Sequence, residues 1–519
     1  MTRWAGSPLA REQIALFSPT LDSSIEEDHP VRLQDEILSA LDWSCWENKY
    51  FTNAGQPAIH PRIVASVLLY GMSHGIRSSR RLEWACRNAI DFIWLAEGRR
   101  IDHSTFCKFR TRFRKELKDI FRQLGHVAMT MGMVRLNQIA LDGTKIRANS
   151  SRKGATAQTI ACRIKALDEQ IDKWFSEAEV LDKKDGVLFE DSGSPNVLPR
   201  ELSKLQSRRV LLTQALEAAK RVDAIRQKRS DRTKAPASVP VADPDSQIMP
   251  NKDGGFAPNY TPVVAADGEC GYIADTEVIP GNDEAGLTAT LIDQIEDDYG
   301  QKPQEVLADA LFSTGPTLQA LEDREVDAYI SIETGVSTDN NPAIRGDLTK
   351  PVPSEQWPQL PRSPQSKRLD RSAFIYSSIE DCYYCPTGKK MAYSYSVQKV
   401  DIITRYYECG HCYKCDLATE CVTKDARSRR VTRDQYQHLR EKAAARMRST
   451  QGKKNYGRRM WLSEGVFGSI KAWIGLRQFL CRGLDKVRTE WLWACTAFNL
   501  AKLVRAILNI RRKTAALTP

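Results

Sequence analysis

Three carboxylates in this chain have the types and settings that suit divalent cations. Asp142 closes the short apolar run Ile139-Ala140-Leu141, and Asp309 closes Val306-Leu307-Ala308. Each run reads as a buried strand with an acid at its end. Glu464 falls on a predicted helix, seven positions before Lys471. Magnesium and manganese prefer carboxylate oxygens to imidazole or thiolate, and the chain has only seven His. Two such cations about 3.5–4 Å apart stabilise both the attacking and the leaving oxygen of an in-line displacement at phosphorus. The chemistry implied is metal-dependent phosphoryl transfer, as a nuclease-type enzyme performs it on DNA. An Asp that ends a strand also occurs in ordinary turns, so the surrounding elements carry weight.

Around Glu464, residues Leu462, Val466, Ile470 and Trp473 form an apolar stripe, while Glu464 and Lys471 share another face of the same helix. That pair reads either as a solvated ion pair or as an acid for metal beside a Lys for phosphate. Gly465 and Gly468 weaken the helix and leave room for DNA or another backbone.

A chain of 519 residues predicts three or four structural units. Its net charge of +11 and pI near 9.0 suggest a polyanionic partner. Between Lys424 and Arg459, thirteen Lys and Arg face three acids, and this segment leads directly to Glu464. It is either a solvated basic face or, as its position favours, a surface that tracks phosphates. The opening Met-Thr-Arg-Trp-Ala-Gly-Ser-Pro lacks the apolar core of a signal peptide, and no uninterrupted membrane span is read along the chain. The expectation is a cytoplasmic protein. Six of the thirteen Cys crowd between Cys382 and Cys421, which suits reduced thiols and a metal site better than a disulfide framework.

Residues 1 to about 125 read as helical. Helices are predicted from Pro61 to Gly75, from Ser78 to Leu95, and from Asp102-His103-Ser104-Thr105 onward, where Ser or Thr can cap a helix bearing Lys108, Arg110, Arg112, Arg114 and Lys115. Short helices ending in an Arg-rich one fit a helix-turn-helix reader of DNA or a plain bundle with a charged face. Spacings of four and three at Ile160, Ile164, Leu167, Ile171, Trp174 and Ala178, and again from Leu202 to Ala219, predict two antiparallel helices joined across 181–198. Tyr260 to Ala266 and Tyr272 to Val278 predict a β-hairpin, which makes Asp267 a turn residue and not a metal ligand. A helix from Glu284 to Tyr299 precedes the Asp309 strand; a helix over Thr317 to Arg324 and a strand at Asp327 to Ile332 follow it. Six prolines between Val336 and Ser372 argue for loops there. The fold class expected is α+β and multi-domain, with a ribonuclease-H-like core: a mixed sheet flanked by helices, whose neighbouring strand ends and one helix deliver three carboxylates.

Cys382-Tyr-Tyr-Cys385 and Cys409-x2-Cys412-x2-Cys415-x5-Cys421 supply pairs of thiols at two-residue spacing. Such pairs can share one tetrahedral structural zinc, or pack a small subdomain as reduced cysteines without metal. Zinc is the favoured reading.

Asp142-Gly143-Thr144-Lys145, the Met249 to Tyr260 segment, Ala308-Asp309-Ala310 and Glu464-Gly465-Val466-Phe467-Gly468 with Lys471 together resemble bacterial insertion-sequence transposases of the DDE type, in particular the branch called "eleven-eighty-two". Arg77-Ser78-Ser79-Arg80-Arg81-Leu82, Asp102-His103-Ser104-Thr105 and the tail from Phe479 to Leu500 extend the resemblance over most of the chain. It implies that Asp142, Asp309 and Glu464 are the catalytic acids that bind Mg2+ or Mn2+, with Lys471 beside them. It implies DNA contacts from Lys145, Tyr456, Arg458 and Arg459, beside those that the basic stretch predicts from Arg427, Arg429 and Arg430. In the wider signature of related families an Arg stands four positions before the Glu; here Arg459 stands five before Glu464, so Arg458 and Arg459 both remain open for that place. Cys385, Cys412, Cys415 and Cys421 match the family's zinc set, with Cys382 as a fifth candidate. The domains expected are a helical DNA-binding domain over 1–130, a core over 131–335 interrupted by a helical hairpin at 151–235, a loop-rich insertion with the Cys cluster and basic segment over 336–455, and a final core part over 456–519. The activity implied is strand cleavage at transposon ends followed by strand transfer, with terminal inverted repeats and target DNA as partners, no membrane, and a homodimer on the DNA of a bacterial nucleoid. The rival expectations are a DNA endonuclease without strand transfer and a catalytically inactive zinc-dependent DNA-binding protein.

Overall fold

The apolar runs that end in Asp142 and Asp309 become neighbouring strands. The structure, a computed structural model, describes residues 20–50, 57–185, 200–228, 235–251, 254–332, 340–399, 402–410, 412–423 and 426–515. Its main sheet runs in the order Ile273–Ile279, Phe256–Asp267, Gln138–Gly143, Glu305–Ala308, Asp327–Ile330. Phe256–Asp267 lies antiparallel to both of its neighbours, and the last three strands are mutually parallel. The long Phe256–Asp267 strand also carries the short Ile146–Arg147 and Gln247–Pro250 strands near its start.

Ile139, Ala140 and Leu141 are wholly buried, as are Val306, Leu307 and Ala308, because helices cover both faces of the sheet. Alternation sorts them. Ile139, Leu141, Val306 and Ala308 enter the largest core, whereas Ala140, Leu307 and Tyr329 pack on Leu462 of the Thr450–Ala472 helix.

The expected hairpin forms between Phe256–Asp267 and Ile273–Ile279. Asp267 is 1% exposed and anchors the turn. Its carboxylate accepts from the Leu136, Glu269 and Cys270 amides at 3.0, 2.9 and 3.2 Å. Gly271, at φ +68°, supplies the left-handed turn residue.

In the N-terminal region, Pro61–Ser73 is buried at every position except Arg62, as a helix apolar on all sides must be. The single helix expected over Ser78 to Leu95 is instead two, Ser79–Asn88 and Ile90–Leu95, broken where Ala89 turns extended. The Asp102 side chain, not Ser or Thr, caps His103–Arg112 by accepting from the Ser104 amide at 2.7 Å. These helices share one core with the sheet and with the C-terminal helix Leu484–Ala515: Trp46, Phe109 and Phe113 cluster with one another, and Trp493 packs on Trp46 and Phe109. Leu484–Thr514 is long and apolar enough to cross a membrane by length and composition, contrary to the sequence reading, but 67% of its apolar window is buried inside the fold.

Two helices, Ala157–Asp185 and Arg200–Lys228, pack together as expected, with Ile160, Leu167, Leu212 and Ala219 between them. The Ala178 side chain and residues 186–198 of the connection lie outside the described residues. Loops and short 3-10 turns run from 340 to 373, and then the chain departs from the loop-rich expectation. Ile375–Ser377, Cys382–Tyr384, Lys390–Lys399, Ile402–Glu408 and Arg430–Asp434 form an antiparallel sheet with its own core. Most residues of Lys390–Lys399 are exposed on both faces, although Met391, Tyr393, Tyr395 and Val397 alternate with small or polar residues in the sequence.

Candidate functional site

Register brings two acids level. Gln138 pairs with Glu305 and Ala140 with Leu307 in the parallel ladder; one step further, the same offset sets Asp142 beside Asp309. Alternation then turns both toward the Thr450–Ala472 helix, since Asp142 follows Ala140 and Asp309 follows Leu307 on the face that Leu462 covers. Arg459 of that helix approaches the Asp142 carboxylate at 3.8 Å and lies over the Tyr456 ring at 5.8 Å. Asp309 accepts the Leu311 amide at 2.8 Å, which caps the 3-10 turn after its strand. One helical turn past Phe467, the Lys471 ammonium donates to the Thr144 hydroxyl at 2.5 Å.

Burial pushes the Asp142 carboxyl above the usual carboxylate range, and the Asp309 charge adds to it, against Ser463, Arg459 and the Gly143 amide. Glu464 is exposed on the helix, between buried Ser463 and open Gly465. Its helix face is the one that carries Lys471. Among the described residues, one trio offers ligand atoms all within 4.8 Å of one another: Glu83, Asp102 and His103. Asp142, Asp309 and Glu464 are not drawn that close, nor are any three thiols.

A fourth acid joins Asp142 and Asp309, one that neither a strand end nor a helix spacing marks in the sequence. Glu284 ends up 7% exposed beside Asp142 and Asp309. The one local signal is Gly143, a glycine at the last position of the Gln138–Gly143 strand, where a missing side chain permits close approach. A Cβ there would stand 2.2 Å from Glu284 Oε2. Burial, then the charges of Asp142 and Asp309, push the Glu284 carboxyl up to about 7, with Lys145 opposing. A carboxyl raised on folding contributes stability that is fully present below its unfolded pKa and is lost as pH rises through the folded one. Metal-free protein is therefore expected to lose on the order of 3 kcal/mol between about pH 4.5 and 8 through this group. In urea melts of metal-stripped protein, Glu284→Gln should be the more stable at pH 8 and match the parent at pH 5. Parallel curves for the two proteins across that range would refute this.

Of the basic residues, Lys145 donates to the Pro250 carbonyl at 3.2 Å, and Arg458 to that of Gly268 at 2.6 Å. Arg429 turns inward: it donates to the Cys421 and Leu369 carbonyls at 3.2 and 3.1 Å and lies over Phe374 at 5.1 Å. Arg430 pairs with Glu408 at 3.4 Å, and Arg427 is exposed. Lys424 lies outside the described residues. In the N-terminal helices Arg110 is buried, donating to the Arg77 carbonyl at 2.7 Å, while Lys108, Arg112 and Lys115 are exposed.

A cavity of about 140 Å³ gathers Cys385, Cys409, Cys412, Cys415 and Cys421. Cys382 does not line it; the charges felt by that thiol are those of Lys390, Glu380 and Asp381. Cys409, absent from the expected ligand set, takes its place. The Cys409 thiol hydrogen-bonds to Cys385 and brings the latter down to about 6, whereas burial pushes Cys421 up to about 12.

The family model described as "Transposase DDE domain" matches residues 384–504, which include Glu464 and Lys471, and that described as "Transposase domain (DUF772)" matches residues 19–112. Asp142 and Asp309 lie outside both stretches. No curated protein and no solved structure matches the chain. Two separate transposase matches, one on the N-terminal helices and one reaching from the Cys-bearing sheet through the Glu464 helix, support an insertion-sequence transposase.

Proposed function

We propose that this chain is a DNA transposase of the "eleven-eighty-two" branch, cutting transposon ends and joining them to target DNA at a divalent-metal centre on Asp142, Asp309 and Glu464. The observation that carries the reading is the level placement of Asp142 and Asp309 at the ends of adjacent parallel strands, beneath a helix that bears Glu464 and Lys471. The order of the five core strands, with the second one antiparallel, supports a ribonuclease-H-like core. When bound, a pair of Mg2+ or Mn2+ ions supplies charge stabilisation to the attacking and leaving oxygens. The oxygen-only donor set of the three acids fits those ions. Lys471, steadied by Thr144, meets a phosphate of the bound strand, and Arg458, Arg459 and Tyr456, on the same helix, add further DNA contacts. Water is the nucleophile in cutting, and the freed 3′-hydroxyl is the nucleophile in joining.

In this reading residues 1–130 bind the terminal inverted repeats, 131–335 with 456–519 form the core, and 336–455 add a zinc-holding, DNA-contacting insertion. The protein works as a homodimer on DNA in the cytoplasm. Incubating pre-cut end DNA with a supercoiled target and Mg2+ tests it: joined products are expected, and nicking without joining would leave the endonuclease in its place.

Zinc is proposed for the thiol cavity, with four ligands drawn from Cys385, Cys409, Cys412, Cys415 and Cys421. Elemental analysis is expected to give one zinc per chain, released by chelation or acidification because ligating thiols must be deprotonated. Its release should open residues 375–434 to protease and spare the main core. Zinc-free protein with fully reduced cysteines and an unchanged digest would refute it.

A further inference from the structure

Glu284 stands beside the strand-end acids, although its oxygens and those of Asp142 and Asp309 are not all within 4.8 Å of one another, and it has no assigned task. It precedes the 3-10 turn Ala285–Leu287, on the connection that leaves the Ile273–Ile279 strand. It is 7% exposed, and among the described residues no hydrogen bond or ion pair ends on its carboxylate, with Lys145 the cation whose charge reaches it. The carboxylate is aimed at the end of the Asp142 strand, into space that only the missing side chain of Gly143 leaves open. The charges it feels there are mainly those of Asp142 and Asp309.

Such an arrangement is costly by itself. A buried carboxylate is normally paired or bound to metal, and like charges crowded together oppose ionisation. A purely structural side chain at this position would do better without charge, since removing an unpaired buried charge stabilises a fold. A divalent cation reverses that sign, because each added carboxylate then offsets part of its charge and supplies an oxygen of the kind that magnesium and manganese select.

We propose that Glu284 is a further oxygen ligand of the divalent cation held by Asp142 and Asp309, a claim that rests on those two acids being cation ligands. Gly143 is the residue that admits it.

The test uses the full chain, stripped of metal and titrated with Mn2+ alone at pH 7.5, with free Mn2+ read by electron paramagnetic resonance. Glu284→Gln, which keeps shape and removes charge, is expected to weaken Mn2+ binding about 10- to 100-fold, the range known for groups that support a metal site. Asp142→Asn is titrated beside it. Parent-like affinity in Glu284→Gln overturns the proposal; if Asp142→Asn has lost Mn2+, the reading of the two aspartates survives, and if it too binds like the parent, that reading falls as well. The rise in melting temperature on adding Mn2+ gives a second readout. A ligand role shrinks that rise in Glu284→Gln, whereas a merely structural role leaves the rise intact whatever the change in the metal-free melting temperature. Should Glu284→Gln not fold, Gly143→Ala, which keeps every carboxylate but sets a methyl against Glu284 Oε2, is held to the same expectation.

Discussion

Asp142→Asn, Asp309→Asn and Glu464→Gln should each lower cleavage of a labelled transposon end at least about 10³-fold, or roughly 4 kcal/mol of transition-state stabilisation. End binding should persist in all three. Recognition is assigned to the N-terminal helices and to basic residues, and contacts to phosphates and bases place the DNA without taking part in the chemistry. Groups that act as one unit lose their effect together, so the triple variant should be little worse than any single one. Asp267→Asn is the control: its contact with the Leu136, Glu269 and Cys270 amides is structural, and the change should lower stability by about 1–3 kcal/mol while cleavage remains. Scoring binding and cleavage separately in Mg2+ decides the matter. Retained cleavage in Glu464→Gln, or its loss in Asp267→Asn alone, would overturn the assignment. The exposed position of Glu464 makes it the most demanding member of this test.

The second large effect is on stability and lies far from the acids. Arg77 is only 11% exposed at its side chain and Glu490 1%, and they meet at 2.6 Å. Arg77 also donates to the Gly475 and Gln478 carbonyls, both at 2.8 Å. Glu490 in turn accepts the Leu480 and Cys481 amides, each at 2.9 Å. One ion pair thus fastens the N-terminal helices to the loop after the Glu464 helix and to the C-terminal helix. Arg77→Ala strands a buried carboxylate, and breaking a buried pair in this way costs about 3–5 kcal/mol. Urea melts should show that loss, and end binding should weaken with it because the N-terminal helices lose their footing. Glu490→Gln on the Arg77→Ala background should recover part of the loss, as expected of coupled sites. A change within about 1 kcal/mol, the usual range of an exposed pair, would mean that the pair is solvated.

The sequence by itself determined the features written in neighbouring residues. The apolar runs before Asp142 and Asp309, the hairpin around Asp267, the buried Pro61–Ser73 helix and the paired helices at Ala157–Asp185 and Arg200–Lys228 all follow from periodicity and turn chemistry within a few positions. Their residue types also marked the chemistry, since acids at strand ends and thiols at two-residue spacing are local patterns. Only the tertiary structure decided what meets what. Strand register aligned Asp142 with Asp309, and chain folding carried Glu284 into the space left by Gly143 and Arg459 up to Asp142. The same holds for Cys409, which joined the thiol cavity while Cys382 was held away from it by its strand. The sheet over 375–434 departs from the loop-rich expectation even though Met391, Tyr393, Tyr395 and Val397 alternate with small or polar residues; burial does not follow that alternation, because most of the strand is solvated on both sides. Ala89 broke a helix that periodicity had run through, and the N-terminal helices merged with the C-terminal one in a single core. Periodicity tells a residue which way to face, whereas a partner hundreds of positions away is chosen by packing, and packing exists only once the whole chain has closed on itself.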